Sequence, residues 1–429
     1  MKKQLRLASI VAGVAIIAAA CGPSGGATTA PASAAAPSAG APSAAASSAA
    51  ESTAPESQAP AALEGEVTLW HSYGSGGGEG GALTTVLDKV RAANPGLTIN
   101  VVEQPFDQIF LKWRTDVAAG EGADMFIAPN DDLGKDAREE SIADIDQYLT
   151  GNAALDGYLP VALDGSKVDG KFYMVPESLK AVALWYDKTA VATPPKTSDE
   201  LLAGVKDGSI KLGINQGVYH QFGWTGAFGG KLMDDAGKCT ADAGGFADAF
   251  AYLKSLKDAG ATFNTDGNAL KTDFQTGKIN AIIDGPWQTA DFRKALADKL
   301  AVTTIPAGPS GAADPFTGTD GWYINPNLEP AQQQLAVNVA LALTAPDSEQ
   351  VFVDDAGHVP ANPAVKITDP ITQGFADAAA AGLPRPQNAQ FGNWWGPFGD
   401  ALNKVIDTGA DPAAAVKDAC KLMNEASGL

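Results

Sequence analysis

The sequence predicts an α/β fold divided between two lobes. Two observations carry that expectation. Apolar, strand-like runs alternate with helical stretches through most of the chain, the pattern of sheets whose faces are covered by helices. The stretch able to fold, about 64–429, is also long for a single hydrophobic core. In order, "EVTLW" and "LTINVVEQ" read as strands flanking a helix over 80–93. "ADMFIAP" is a third strand, reached through a helix over 106–119, and the alternation implies a largely parallel sheet. "DGKFYMVPESLKAVALWYDK" reads as a strand that turns and continues into another. A second α/β run follows: "IKLGIN", helices over 219–228, 245–258 and 269–276, and the strands "INAIID", "VTTIPAG" and "GWYINPN". The remainder is mostly helical, over 330–343, 347–354, 372–380, 391–407 and 412–425, and no repeat of fixed period runs through it.

The N-terminus reads as an export signal. Lys2, Lys3 and Arg6 precede the apolar run "LASIVAGVAIIAAA", which ends at Cys21-Gly22. At roughly 14 residues the run is short for a membrane span. Cysteine after Ala18-Ala19-Ala20 resembles the lipobox of bacterial lipoproteins, with Ala18 where Leu is usual. That resemblance implies removal of 1–20 and lipidation of Cys21. From there to residue 63 the chain is Ala, Pro, Ser, Gly and Thr with two Glu, one Gln, one Leu and no aromatic residue, unable to bury enough apolar surface to fold. As a flexible tether over 21–63, its ends would lie roughly 35–40 Å apart. The chain carries a formal charge of −20, and loses three positive charges with the signal. No Lys/Arg-rich run interrupts that acidity, which argues against a nucleic-acid partner. Cys239 and Cys420 remain after Cys21, and outside the cytoplasm they are able to pair.

A set of ordered motifs resembles one family over nearly all of 64–429. They are "GEVTLWHS", "GEGADMFIAPNDDLG", "DGKFYMVPESLKAVALWYDKTAVATPPKTSDEL", "INQGVYHQFGWTGAFGG", "FQTGKINAIIDGPWQTADF", "GTDGWYINPN" and "QFGNWWGPFGDALNKVIDTGADPAAAVKDA". In this order and spacing the chain resembles the extracellular solute-binding proteins of ATP-driven (ABC) sugar importers, and within them the maltose/maltodextrin-binding group. The resemblance implies a periplasmic-binding-protein fold, with a ligand cleft between lobes joined by crossing strands. It places 64–177 and 321–362 in an N-terminal lobe, and 182–318 and 369–429 in a C-terminal lobe. It also implies capture of a sugar by lobe closure and delivery to ABC permease subunits, by a monomer that touches the membrane only through its lipid anchor. Cys239 and Cys420 would both fall in the second lobe.

A sugar has apolar C–H faces and a rim of hydroxyls, so its site needs flat aromatic rings together with carboxylate, amide or hydroxyl groups. Trp287 stands where the strand "INAIID" hands over to a helix, with Pro286 at the first helical turn and Asp284 able to cap it. By resemblance Trp287, Trp395, Trp394 and Tyr219 are cleft aromatics, whereas Trp70 and Trp185 lie within strands and read as core. Asn130, Asp131 and Asp132 follow the third strand, at the end where open α/β sheets bind ligands, and Asp131 matches an acidic sugar ligand of the family. His71 and Ser72 end the first strand and Lys180 lies at an inter-lobe crossing; both places reach the ligand in the family. The sequence departs from maltodextrin binders at Ala128 and Asp132, at "SYGSGGG" in place of an Asp-Lys pair, and at Lys180 in place of a glutamate. The solute is therefore left open: a malto-oligosaccharide, another di- or oligosaccharide, or a polyol, sugar phosphate or polyamine.

Two enzymatic alternatives compete. Gly76, Gly78 and Gly81 match G-x-G-x-x-G with Glu103 ending the next strand, the dinucleotide fingerprint of an oxidoreductase. Five residues, His71 to Ser75, separate the strand from its first glycine, against the tight turn the fingerprint needs. The second is a carbohydrate-active enzyme with Asp131 and Asp284 as its acid/base pair, though nothing in the sequence pairs them. His71, His220 and His358 are scattered, so neither a metal nor a cofactor is expected.

Overall fold

Two sheets are built from strands laid down in interrupted chain order. The structure is a computed structural model that describes residues 62–74 and 78–429. The signal segment, Cys21, Gly76 and all but the last two residues of the tether lie outside the described residues. The strands are β1 (Gly65–His71), β2 (Leu97–Glu103), β3 (Met125–Pro129), a short hairpin of β4 (Lys167–Val168) and β5 (Lys171–Phe172), and β6 (Met174–Lys180). There follow β7 (Ala183–Asp187), β8 (Leu212–Asn215), β9 (Thr262–Asn264), β10 (Ala281–Asp284) and β11 (Leu300–Thr303). The last are β12 (Phe316–Ile324), β13 (Val359–Pro360) and β14 (Leu383–Pro384).

The first sheet runs β13-β6-β12-β3-β1-β2, with β14 beside the start of β12; the second runs β11-β7-β10-β8-β9. Each is mixed rather than largely parallel. β1 pairs in parallel with β2 and β3, but β12 is antiparallel to β3 and β6, and β7 is antiparallel to β10 and β11. The parallel pairs are those joined through a covering helix. The antiparallel ones involve segments that pass between the sheets, where the chain arrives from the opposite end.

Side chains alternate across each sheet, so every strand serves two cores. On β3, Met125 and Ile127 pack into one cluster while Phe126 and Ala128 pack into another. On β12, Phe316 packs into one cluster, whereas Trp322 and Ile324 pack into another that also takes in Trp185 and Phe292. One continuous strand thus roots in both cores. Trp185 and Phe375 (ring centroids 4.8 Å apart) carry the first core across to the second sheet. Trp70 is buried edge-on to Trp113 at 5.9 Å.

Local signals in the sequence account for several element ends. In "PPKTSDEL", the Thr197 hydroxyl accepts from the Glu200 amide while the Glu200 carboxylate accepts from the Thr197 amide. This reciprocal cap starts the helix Ser198–Asp207, which stops at Gly208 with φ +80°. Asp369 and Asp411 cap helices that open on Pro370 and Pro412. The helix expected over 219–228 is two short ones, Val218–Gln221 and Gly223–Ala227. Cys239 and Cys420 form a disulfide, Cα atoms 5.4 Å apart, tying the loop after Gly230 to the final helix Pro412–Ser427. Among the described residues no helix is long and apolar enough to cross a membrane.

Candidate functional site

Trp287 owes its position to a glycine. β10 ends at Asp284, and Pro286–Gln288 form a single 3-10 turn before the helix Thr289–Leu296. Within that turn the indole folds back over Gly285, where a Cβ would stand 2.1 Å from the ring. Tyr219, opening the helix Val218–Gln221, lies 6.3 Å from Trp287 and 6.4 Å from Trp395, centroid to centroid. The three rings are half-buried and pack against the second lobe's core from its edge. Burial pushes the Tyr219 phenol up to about 12, so its hydroxyl keeps its proton at neutral pH.

Trp394 corrects an expectation. It is fully buried, 5.5 Å from both Phe222 and Phe316, and belongs to the core. Successive residues on a helix point about 100° apart, so with Trp394 facing inward Trp395 is carried round to the edge of the core. Asp284 is a second correction. Rather than capping the following helix, its carboxylate accepts from the Gly285 amide at 2.8 Å and from Gln288 Nε2 at 3.2 Å. His220 Nε2 lies 3.6 Å from the same carboxylate.

From the first lobe, Asp131 meets Arg385, which follows β14; the two side chains form an ion pair. Burial pushes the Asp131 carboxyl above the usual range, against the pull of Arg385. The Arg385 guanidinium lies 5.4 Å from the Tyr219 ring centroid, within cation–π range. Gly318 on β12 makes room for it: a Cβ there would stand 3.0 Å from Nη2. Neighbouring residues hold the turn. Asn130 donates to the Gly165 carbonyl at 2.9 Å and accepts from the Thr319 amide at 3.2 Å. Asp132 pairs with Arg114 at 2.5 Å, and Arg114 also holds Asp136. Asn130 and Asp132, expected at the ligand, are thus committed to shaping the turn that presents Asp131.

Where the lobes join, the crossing segments meet in an ionic network. Lys180 at the end of β6 lies 2.5 Å from Glu79 and 2.9 Å from Asp320 on β12. His358, just before β13, lies 2.8 Å from Glu79 through Nε2 and 2.9 Å from Glu177 through Nδ1. Ionised carboxylates only accept hydrogen bonds, so contact through both nitrogens requires the imidazolium form. Burial alone would lower the His358 pKa; Glu177 and Glu79 outweigh burial and Lys180 and bring it to about 9. Burial alone would raise Glu79; Lys180 and His358 hold it at about 2. Lys180, expected at the ligand, is buried and neutralised here. His71 is also buried, its Nδ1 accepting from the Tyr73 amide at 3.2 Å, and Ser72 beside it is half-buried.

The network implies a pH profile. The folded pKa of His358 exceeds the unfolded value of about 6.5, so its contribution is complete below about pH 6.5 and is lost as pH rises through about 9. Glu79 acts oppositely: its contribution is present above about pH 4.5 and is lost as pH falls through about 2. Thermal melts of the wild type and His358→Gln between pH 5 and 9.5 are expected to differ most at the acid end and to converge towards pH 9. A constant gap would remove His358 titration from the account.

The sequence reading missed Arg385, Tyr73 and the carboxylates around Lys180. A signal existed for Arg385: it is the only cation between Lys366 and Lys404, set between Pro384 and Pro386. The carboxylates gave none, because they lie at separated points of the chain.

The chain is 26% identical over 342 residues to a maltooligosaccharide ABC transporter solute-binding lipoprotein of Streptococcus pneumoniae, covering 73% of this chain and 78% of the relative. It is 25% identical over 366 residues to a maltotriose-binding protein of Pyrococcus abyssi, covering 80% and 78%. Its fold superposes on the Thermus thermophilus maltotriose binding protein bound with maltotriose with a TM-score of 0.77 at 26% identity, covering 84% of this chain and all of that one. That neighbour is a two-lobed periplasmic binding protein, and the two sheets joined by crossing strands have the same architecture here. Residues 85–381 match the family described as bacterial extracellular solute-binding protein. The chain belongs to that family.

Proposed function

We propose that this protein captures a neutral sugar, a malto-oligosaccharide or related di- or oligosaccharide, by closing its lobes and delivers it to the permease subunits of an ABC importer. The observation that carries the reading is the trio Tyr219, Trp287 and Trp395 beside the Asp131–Arg385 pair. Flat rings match the C–H faces of a sugar and the charged pair matches its hydroxyl rim. The electrostatics favour a neutral solute over a sugar phosphate or polyamine. Arg385 is paired with Asp131, and Lys180 with Glu79 and Asp320, so the charge of each of these cations is already balanced. The sugar-binding relatives support the same class. The lobes that close are 64–177 with 321–362 and 182–318 with 369–429. A non-enzymatic role fits carboxylates already engaged, Asp131 by Arg385 and Asp284 by Gly285 and Gln288.

A thermal-shift screen tests this, because a ligand that binds only the folded state raises the melting temperature. Maltose, maltotriose and maltotetraose are expected to raise it. Polyols, sugar phosphates and polyamines are expected to leave it unchanged. A shift with only the charged solutes overturns the reading.

The protein acts as a lipid-anchored monomer at the outer face of the cytoplasmic membrane, attached through Cys21, without nucleic acid or cofactor. Cys21→Ser is expected to move it from the membrane fraction into the medium or periplasm. Unchanged sedimentation with membranes would discard the anchor.

A further inference from the structure

Arg385 is 5% exposed, yet both hydrogen bonds its side chain makes to protein, to Asn130 and Asp131, run through Nη1. A guanidinium has five N–H donors. Among the described residues its Nε is buried without a partner. Of the other buried polar atoms in that condition among the described residues, three lie close by: Oδ1 of Asp320, two residues along β12 from the Gly318 that cradles the guanidinium, Oγ of Ser178, opposite Asp320 on β6, and Oη of Tyr73. Lys180 lies over the Tyr73 ring at 5.5 Å and binds the other Asp320 oxygen, so these atoms belong to one neighbourhood. Buried polar groups left unpaired are costly and are usually satisfied by something bound. Here the unpaired set mixes donor and acceptor. A phosphate would oppose the carboxylates and an ammonium the guanidinium, whereas hydroxyls both donate and accept.

Building on the sugar-binding reading, we propose that Arg385 is a specificity-determining residue of this site. Held over Tyr219 by Asp131, its guanidinium donates to one sugar hydroxyl while Asp131 accepts from the neighbouring one, so the pair selects rings that present adjacent hydroxyls. Asp131 fixes the plane of the fork and Gly318 leaves room for it. Lysine keeps the charge but has no planar fork and does not replace it.

Calorimetric titration with maltotriose, and with maltose and its mono-deoxy analogues, tests the proposal on the wild type, Arg385→Lys and Trp287→Ala. Arg385→Lys is expected to weaken maltotriose at least tenfold. At least one deoxy analogue is expected to bind the wild type at least tenfold more weakly than maltose, and that ratio is expected to fall towards one in Arg385→Lys. A packing role would weaken all the analogues by the same factor and leave the ratio unchanged, which overturns the proposal, as does binding within twofold of wild type. If Arg385→Lys does not fold, the double variant Asp131→Asn/Arg385→Gln, which removes both charges together, is read against the same ratios. Loss of binding in Trp287→Ala with none in Arg385→Lys sinks this inference alone. A wild type that binds none of these sugars sinks the sugar reading with it.

Discussion

Trp287→Ala is expected to weaken maltotriose binding by about 1–4 kcal/mol, the range for removing a buried aromatic anchor from an interface. That is roughly 5- to 1,000-fold in Kd. The melting temperature without sugar should change little. The ring is half-buried, lies over Gly285 at the edge of the second core, and its neighbours Tyr219 and His220 remain in place. Trp395→Ala is expected to behave the same way, since its ring stands on the other side of Tyr219 in the same trio. Trp394→Ala is the opposite case. Its fully buried indole packs among Phe222, Phe316 and Phe391, so truncation is expected to cost about 3–5 kcal/mol of stability. Calorimetric titration and melts of the three variants separate the classes. Normal sugar binding by Trp287→Ala would remove the aromatic platform from the account.

Removing the Cys239–Cys420 bond should have a large effect on stability. The pair closes a sequence separation of 181 residues within the second lobe. In the chain-entropy model a long loop favours a large contribution, and the double variant Cys239→Ser/Cys420→Ser is expected to lose about 2–5 kcal/mol. The loss falls on the attachment of the final helix. Cys420 sits on its inner face with Ala419 and Met423, and Asn424 accepts from the Cys239 amide at 2.9 Å, so part of the docking survives reduction. Thiol labelling of the unfolded, unreduced protein on a Cys21→Ser background should find no reactive cysteine. Two reactive thiols together with an unchanged melt would dismiss the bond.

Much of the architecture was legible because it depends on short-range pattern. The strands "EVTLW", "ADMFIAP" and "INAIID" and the helices over 330–343 and 412–425 carry their own periodicity, caps and prolines, and these act within a few residues. What misled was direction. The sheets were expected to be largely parallel, yet β6, β7 and β12 pair antiparallel where the chain crosses between lobes, and no local signal records which end a strand is entered from. The adjacent pair Trp394 and Trp395 was equally opaque. Both open a helix, and only packing against Phe222 and Phe316 determines which ring turns inward.

By itself the sequence determined the α/β class, the strand-to-helix turn that carries Trp287, and the candidacy of Tyr219, Trp395 and Asp131. Each rests on residue types within a local pattern or on motifs kept in order along the chain. Only the tertiary structure decided which polar residues remain available. It commits Asn130, Asp132 and Lys180 to partners, brings Arg385 to Asp131 across a separation of 254 residues, and joins Glu79, Glu177, Asp320 and His358 at the crossing. The physical reason is that a charge buried where lobes meet must find an opposite charge or pay desolvation, and the partner it finds is set by which strands lie side by side, not by which residues are neighbours along the chain.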